Sequence, residues 1–186
     1  MLRRTYLFIG LAILILLPIS VDAQGDAYIG PHLGIQKASD ADDSNYLVGA
    51  SLRLKLIPFI AAEGAISYRQ EDYAGEAVTV KNWPVTVTGL IYPLPIVYGG
   101  VGAGWYNTDF DYSDALNDMG IEDHSEQEFG WHLAAGAELP ASSNVHLYAD
   151  VRYVFLDYEF ADLPDVVEEE VDSDFYSIKI GLLFAL

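Results

Sequence analysis

The chain has 186 residues, enough for one domain of ordinary size, with 28 acidic side chains against nine basic ones. A net charge of −19 argues against a nucleic-acid-binding role, because phosphate backbones are bound by basic surfaces. The chain contains no cysteine, so backbone pairing and packing must stabilise the domain without disulfide bonds.

The beginning of the chain has the three parts of a secretory signal peptide. A positively charged start precedes an apolar run at 7–17, and the small residue Ala23 lies at the usual cleavage position. The run is shorter than the roughly 18 apolar residues that a membrane-spanning helix needs. We therefore predict a cleaved signal peptide at 1–23 and an exported domain at 24–186.

After the signal, eight segments alternate apolar residues with small or polar ones, a period of two that is typical of half-buried β-strands. The predicted strands are 27–37, 46–57, 60–70, 78–92, 96–107, 128–139, 144–157 and 174–186. No apolar run in this part of the chain is long enough for a transmembrane helix. Any membrane span must therefore consist of strands.

The connectors between these strands alternate strictly between short turns and long polar loops. The long connectors are 38–45, 71–77, 108–127 and 158–173. With the acids that flank them, they carry 23 of the 27 acidic residues of the exported domain, and the short turns carry none. This distribution predicts a barrel with tight turns at its periplasmic rim and acidic loops at its outer rim.

Large aromatic residues occur at a common height on strands two to eight, about nine to twelve residues from the nearest short turn or chain end. Ten residues at ~3.4 Å each, tilted by ~40°, climb ~26 Å, close to the ~25 Å apolar band of an outer-membrane barrel. We predict an outer aromatic girdle here, with Phe59, Tyr92 and Phe184 as candidates for the lower girdle. The outer girdle would consist of Tyr46, Tyr68, Trp83, Trp105, Trp131, Tyr153 and Tyr176.

The second face of these strands is made largely of glycine and alanine, for example at 99–104 and 130–136. A water-soluble barrel would expose this face, yet soluble surfaces carry about a quarter or more charged residues. Small side chains instead suit the narrow interior of an eight-stranded barrel. The sequence therefore predicts an all-β fold, an eight-stranded antiparallel up-and-down transmembrane β-barrel with a side-chain-filled lumen and apolar side chains facing lipid.

This pattern resembles the porin-family outer-membrane β-barrels of the small OmpA-barrel and OmpX type over the whole of 24–186. Such proteins end with a polar residue, a glycine two residues later and two hydrophobic or aromatic positions, which correspond here to Lys179, Gly181, Phe184 and Leu186. The resemblance implies that the barrel-assembly machinery reads this ending. It also implies a monomer in the outer membrane of a Gram-negative-type bacterium, in contact with lipid and lipopolysaccharide.

Charged side chains also occur on the inward face. They are Arg53, Lys55, Glu63, Glu138, Asp150, Arg152 and Lys179, and His32, His132 and His146 share their phase. Unpaired charges are costly in a filled lumen, so we expect mutual salt bridges and trapped water. Two alternatives stay open. One is a gated passage for small ions, as associated with a related cluster in OmpA-type barrels, and the other is proton chemistry by the inward carboxylates or histidines.

The third long loop imitates a calcium site. Asp109, Asp111 and Ser113 match its first three ligands, but Asp114 replaces the required glycine. We therefore expect no dedicated metal site and no cofactor. Clustered carboxylates here and at 168–170 are expected to bind divalent cations loosely at most.

Residues 123–125 (Asp, His, Ser) contain catalytic residue types, but consecutive residues in a loop seldom form a catalytic geometry. We predict that the protein is not an enzyme. The first functional hypothesis is a structural, membrane-integrity role with acidic loops outside, and the alternative is a narrow passive pore or small-ligand conduit. A third hypothesis is adhesion or recognition through loops 108–127 and 158–173.

Overall fold

The computed structural model describes residues 26–38, 45–73, 78–112, 124–156 and 174–186. In these ranges the chain forms nine β-strands. They are β1 (Ala27–Ala38), β2 (Asn45–Ile57), β3 (Ile60–Tyr73), β4 (Val78–Asn82), β5 (Val85–Leu94), β6 (Val97–Tyr112), β7 (His124–Pro140), β8 (Val145–Leu156) and β9 (Phe175–Ala185). β4 and β5 both lie between β3 and β6 and together form one strand of the wall, which therefore has eight strands.

The wall closes into a barrel in sequence order. Every pairing is antiparallel, and β1 pairs with both β2 and β9, with Ile35 opposite Tyr46 on one side and Ile178 on the other. Closure leaves no free sheet edge along the wall. A free edge would be unfavourable in the membrane, because lipid cannot form hydrogen bonds with its backbone N–H and C=O groups. The predicted eight-stranded antiparallel barrel is confirmed. Among the described residues, none lies in a helix with the length and apolar character required to cross a membrane.

The fourth wall strand is broken between β4 and β5, so the predicted continuous strand 78–92 is wrong at this point. Pro84 has no amide hydrogen for the ladder. Two backbone hydrogen bonds are nevertheless present at the break. Trp83 N–H donates to the Asn107 carbonyl (2.9 Å), and Ser67 N–H donates to the Pro84 carbonyl (3.1 Å). Trp83 therefore lies in the interruption itself.

The predicted loop boundaries are wrong where strands extend further than the apolar alternation. β3 continues to Tyr73, β6 continues to Tyr112 and β7 begins at His124, so the predicted loop 108–127 is partly strand. Most residues of these extensions are polar. They can still form strands, because backbone pairing does not require an apolar face. Apolar and polar residues alternate only along the lipid-facing part of a strand. Beyond that part, the sequence does not indicate that the strand continues.

Outward and inward residues alternate along each strand. On β8, Leu147 and Val151 are about half exposed on the outer wall, whereas Tyr148, Asp150 and Arg152 are buried. Large apolar side chains thus cover the outside, and the buried interior contains charged ones. This arrangement is the reverse of that in a water-soluble protein.

Glycines of the wall make room for lumen rings. A Cβ atom at Gly136 would lie 2.5 Å from Cζ of Tyr98, and one at Gly181 would lie 2.5 Å from Cε1 of Tyr148. These separations are far below van der Waals contact, so only glycine lets the rings lie this close to the wall. The rings in turn pack beside the charged side chains described below.

Candidate functional site: an ion-pair network in the lumen

Strand register brings the predicted inward charges, here called the lumen cluster, together inside the barrel. Its members are Arg53, Lys55, Glu63, Glu138, Asp150, Arg152 and Lys179. Arg53 on β2 is directly opposite Glu63 on β3, and Asp150 on β8 is directly opposite Lys179 on β9. All members except Lys55 are at most 4% exposed. The structure thus brings together the seven residues that alternation assigned to the inner face.

Arg53 lies at the centre of the lower part of the cluster. Its Nε donates to Glu63 Oε2 (3.0 Å), Nη2 donates to the same oxygen (2.5 Å) and Nη1 donates to Glu138 Oε2 (2.7 Å). The guanidinium also stacks over the Tyr98 and Tyr148 rings, 4.7 and 4.8 Å from their centroids. Charge-assisted hydrogen bonds and cation–π contacts together compensate for removing this cation from water.

Glu138 is the principal acceptor near the turn end of the barrel. Its Oε1 accepts a hydrogen bond from Lys55 Nζ (2.6 Å) and contacts His146 Nδ1 (2.6 Å). Its Oε2 accepts from Tyr92 Oη (2.6 Å) in addition to Arg53. One carboxylate therefore joins strands β2, β5, β7 and β8.

Arg152 organises the upper part of the cluster. Nη2 forms ion pairs with Glu63 and with Asp150 Oδ2 (3.0 Å), and Nη1 donates to Thr88 Oγ1 (3.2 Å). Lys179 is bound less closely, with Nζ 3.9 Å from Asp150 Oδ1. Glu63 thus lies between two guanidinium groups, one from each side of the lumen.

The three inward histidines occupy different settings. His32 bridges Ser51 (3.1 Å) and Ser67 (2.9 Å), and His132 Nε2 contacts Thr88 Oγ1 (2.9 Å) while its Nδ1 has no partner among the described residues. Among the described residues, His32 and His132 contact hydroxyl groups, whereas His146 contacts the Glu138 carboxylate. The described residues also contain no group of three or more histidine, aspartate or glutamate side chains able to hold a metal ion.

Sequence reasoning missed the neutral partners of the cluster. Tyr92 was expected in the lower girdle, and this is wrong: its ring is buried in the lumen and its hydroxyl contacts Arg53 and Glu138. The physical reason is its phase, since Tyr92 directly follows the outward Ile91 on β5 and therefore lies on the opposite face. Phe59 and Phe184 do face outward. Tyr98 and Tyr148 could have been found by the same inward alternation.

All members of the predicted outer girdle lie on the outer wall or at its rim, and none of them is buried. Trp131 stacks on Phe155, with centroids 3.9 Å apart, and Trp105 meets Phe129 edge to face at 5.7 Å. Tyr153 Oη donates to Asp174 (2.9 Å). Rings with an apolar body and a polar contact suit a membrane–water boundary.

The predicted assembly-signal residues divide between the two faces of β9. Lys179 and Gly181 point into the lumen, and Phe184 and Leu186 are exposed on the outer wall. The order of polar residue, glycine and apolar residues at this end therefore also matches the two faces of the barrel wall. The inward positions meet Asp150 and the Tyr148 ring, and the outward ones face the lipid side.

Two carboxylates that imitate a calcium loop are instead part of β6. Lys81 of β4 forms an ion pair with Asp111, and Trp83 Nε1 donates to Asp109 Oδ2 (3.2 Å). The hydrogen bond to Asp111 raises the pKa of Lys81. The carboxylates of Asp109 and Asp111 therefore belong to a strand and contact side chains at the end of the neighbouring strand. Ser113, Asp114, Asp123 and the acidic run at 168–170 lie outside the described residues.

The closed wall and the charged interior define a small transmembrane β-barrel. Residues 8–184 match the family described as outer membrane protein beta-barrel domain, and the chain belongs to this family. The protein is accordingly an outer-membrane barrel protein, as the sequence predicted. A comparison with curated proteins finds no match.

Solved structures share the fold at low sequence identity. Neisserial surface protein A is 12% identical, with 88% of this chain and 98% of that chain covered and a TM-score of 0.62. A major outer membrane protein from Thermus thermophilus is also 12% identical, with 88% and 100% covered and a TM-score of 0.63. The attachment invasion locus protein Ail of Yersinia pestis, solved with the heparin analogue sucrose octasulfate, is 14% identical, with 87% and 97% covered and a TM-score of 0.55.

Proposed function

We propose that this protein is a structural component of the outer membrane that supports membrane integrity and presents acidic loops outside the cell. The observation that carries this proposal is the pair of contacts that cross the lumen, Arg53 with Glu138 and Arg152 with Glu63. Both join strands on opposite sides of the wall, and all four side chains are buried. A lumen bridged twice suits a rigid, closed barrel better than a conduit.

The second candidate is a narrow passive pore or small-ligand conduit. Ion pairs can exchange partners, and Glu63 and Glu138 each have more than one cation within reach. A rearranged cluster would open a polar path. The cost of separating buried ion pairs, about 3–5 kcal/mol when one partner is lost, argues against frequent opening.

The third candidate is adhesion or recognition through the long loops. Ail was solved with a sulfated, strongly anionic sugar analogue. The acidic connectors of the present chain would repel such a ligand, so a loop partner would be cationic. Loose binding of divalent cations by these carboxylates is part of the same hypothesis.

The proposal includes a processing route. Residues 1–23 are removed as a signal peptide, and the barrel-assembly machinery reads Lys179, Gly181, Phe184 and Leu186. The domain 24–186 then works as a monomer among lipid and lipopolysaccharide, without a cofactor and without catalysis. Mass spectrometry of the purified outer-membrane form should find Gln24 as the first residue.

Two experiments separate the candidates. Purified barrel in a planar bilayer should give no steady conductance steps, and reproducible steps in the wild-type protein would support the pore instead. Deletion of the gene in its host should increase sensitivity to detergents, with restoration by the wild-type gene. Restoration by a variant lacking 113–123 and 158–173 would favour integrity, and failure of this variant alone would favour loop recognition.

A further inference from the structure

Two of the three short turns of the barrel consist of exposed apolar residues. The turn between β2 and β3 contains Pro58 and Phe59, and the turn between β5 and β6 contains Pro95 and Ile96. Phe59 is 54% exposed and Ile96 is 44% exposed. Turns in water commonly carry Asn, Asp or Ser, whose side chains hydrogen-bond to the turn backbone, so these two turns are unusual.

The two turns belong to one continuous surface. β3 follows the first turn and β5 precedes the second, and these strands pair with Ile60 opposite Ile91. We call the exposed residues at this end the apolar turn surface, and none of them is charged. Each is at least 37% exposed, and they are Leu56, Ile57, Phe59, Ile60, Leu94, Ile96 and Val97.

The third short turn, between β7 and β8, has the opposite character. Residues 141–144 (Ala, Ser, Ser, Asn) are all exposed. Asn144 N–H donates to Ser142 Oγ (3.3 Å), and Ala141 N–H donates to the Val145 carbonyl (2.8 Å). This turn has the polar side chains of a turn in water. The turns at one end of the barrel therefore differ in the surroundings that they suit.

The backbone of the two apolar turns suits surroundings that offer few hydrogen bonds. Tyr92 N–H donates to the Phe59 carbonyl (2.9 Å), and Glu138 N–H donates to the Ile96 carbonyl (2.9 Å). Neighbouring strands thus satisfy an acceptor in each turn. The preceding residue in each turn is a proline, which has no N–H group that lipid would leave unpaired.

The apolar turn surface also lies within reach of lipid. Phe59 is nine residues from Tyr68 of the outer girdle, and Ile96 is nine residues from Trp105. Nine residues at ~3.4 Å each, tilted by ~40°, descend ~23 Å, which is close to the ~25 Å apolar band of an outer-membrane barrel. The turns therefore lie near the boundary of this band, where side-chain chemistry decides between lipid and water.

We infer that the apolar turn surface is inserted among the acyl chains of the bilayer leaflet at the turn end, whereas the β7–β8 turn is in water. The surface continues directly into the lipid-facing wall, since Leu56 and Val97 precede and follow the two turns on the outer faces of β2 and β6. Lipid that covers the wall can thus cover the turns without a further partner. Burial of exposed apolar side chains in acyl chains is favourable.

Spin labels on Pro58→Cys and Pro95→Cys report the surroundings of these turns and leave Phe59 and Ile96 in place. The barrel is placed, one copy per particle, in nanodiscs of phosphatidylethanolamine and phosphatidylglycerol, in which water reaches both faces of the bilayer. We expect the ratio of oxygen collisions to nickel-chelate collisions to be several-fold higher for both labels than for a label on Ser143→Cys. Oxygen concentrates in lipid, whereas the chelate stays in water.

A pair of substitutions tests whether the apolar side chains hold the turns in lipid. Phe59→Glu combined with Ile96→Glu should lower the collision ratio of the Pro58→Cys label to that of the Ser143→Cys label, because carboxylates are costly among acyl chains. Ser142→Glu combined with Ser143→Glu adds the same charge to the polar turn. This matched control should leave the Pro58→Cys label unchanged.

Two results would overturn the inference. The first is a collision ratio at both apolar turns as low as that at the polar turn. The surface would then be in water and available to a second copy or another protein, both of which single-copy nanodiscs exclude. The second is a high ratio that the glutamate pair leaves unchanged. If Pro58→Cys fails to fold, the Pro95→Cys label decides by the same criteria.

Discussion

Arg53 and Glu138 meet across the barrel, with Nη1 2.7 Å from Oε2, although 85 residues separate them in the chain. Their strands, β2 and β7, are four steps apart in either direction around the eight-stranded wall and therefore lie opposite each other. Arg152 and Glu63 on β8 and β3 repeat this relationship one level higher. The two contacts tie opposite walls of the lumen together.

Replacing Glu138 should destabilise the barrel strongly. Glu138→Gln leaves Arg53, Lys55 and His146 without their shared carboxylate, and breaking a buried pair in this way costs about 3–5 kcal/mol. Urea unfolding in detergent micelles measures this loss. Glu126→Gln, an exposed site on the same strand, is the matched control and should change stability by less than about 0.5 kcal/mol. Similar losses in both variants would show that Glu138 is not a buried acceptor.

Arg152→Ala should lower unfolding stability in detergent while leaving assembly into the membrane intact, because the wall ladder does not depend on this side chain. A double-mutant cycle with Glu63→Gln isolates the contact between the two residues. We expect a coupling energy above about 1 kcal/mol, as for partners within one hydrogen-bond network. Additive effects would mean that the contact across the lumen contributes nothing.

Gly136→Ala should destabilise the barrel by about 1–3 kcal/mol, the usual cost of overpacking. The added methyl group would lie 2.5 Å from both the Tyr98 ring and the Ala149 carbonyl oxygen. Gly64→Ala is the control, because nothing in the described structure lies within 4 Å of a Cβ there. Thermal unfolding in detergent compares them, and the packing argument fails if the Gly64 variant loses as much as the Gly136 variant.

The three tryptophans of the chain, Trp83, Trp105 and Trp131, should lie at one depth near the membrane boundary. Variants that keep one tryptophan and replace the others by phenylalanine allow each depth to be measured by fluorescence quenching with lipids brominated at different positions. We expect bromine near the head group to quench all three most strongly. Strongest quenching of any one by bromine at the acyl-chain end would contradict a common girdle.

The sequence predicted the wall and the direction of its side chains well, because both follow from a period of two. Lys179 between Ile178 and Ile180 points inward in the structure, as its alternation required. Where the alternation ended, prediction failed: the polar extension of β6 to Tyr112 resembles a loop in sequence. The sequence shows Pro84 within the predicted strand 78–92, but apolar alternation alone does not indicate that the hydrogen-bond ladder is interrupted there.

The partners within the lumen were not predictable from the sequence. Alternation assigns Glu63 to the interior, yet its contact with Arg152 depends on the stagger between strands that are 89 residues apart in the chain. Stagger is set by register around the whole closed wall, and no local pattern encodes it. The inward direction of the tyrosine rings does follow from alternation, and only the contacts of their hydroxyl groups depend on stagger.

Spin labels test the orientation of the side chains most directly, since the chain has no cysteine and single-cysteine variants are clean. Labels at Leu133, Val151 and Ile180 should collide readily with oxygen, which dissolves in lipid, and hardly at all with a water-soluble nickel chelate. A label at Asn144, in a turn, should show the opposite preference. Ready collision of the nickel chelate with the three wall labels would show that water surrounds the apolar face, and would contradict the membrane-spanning barrel.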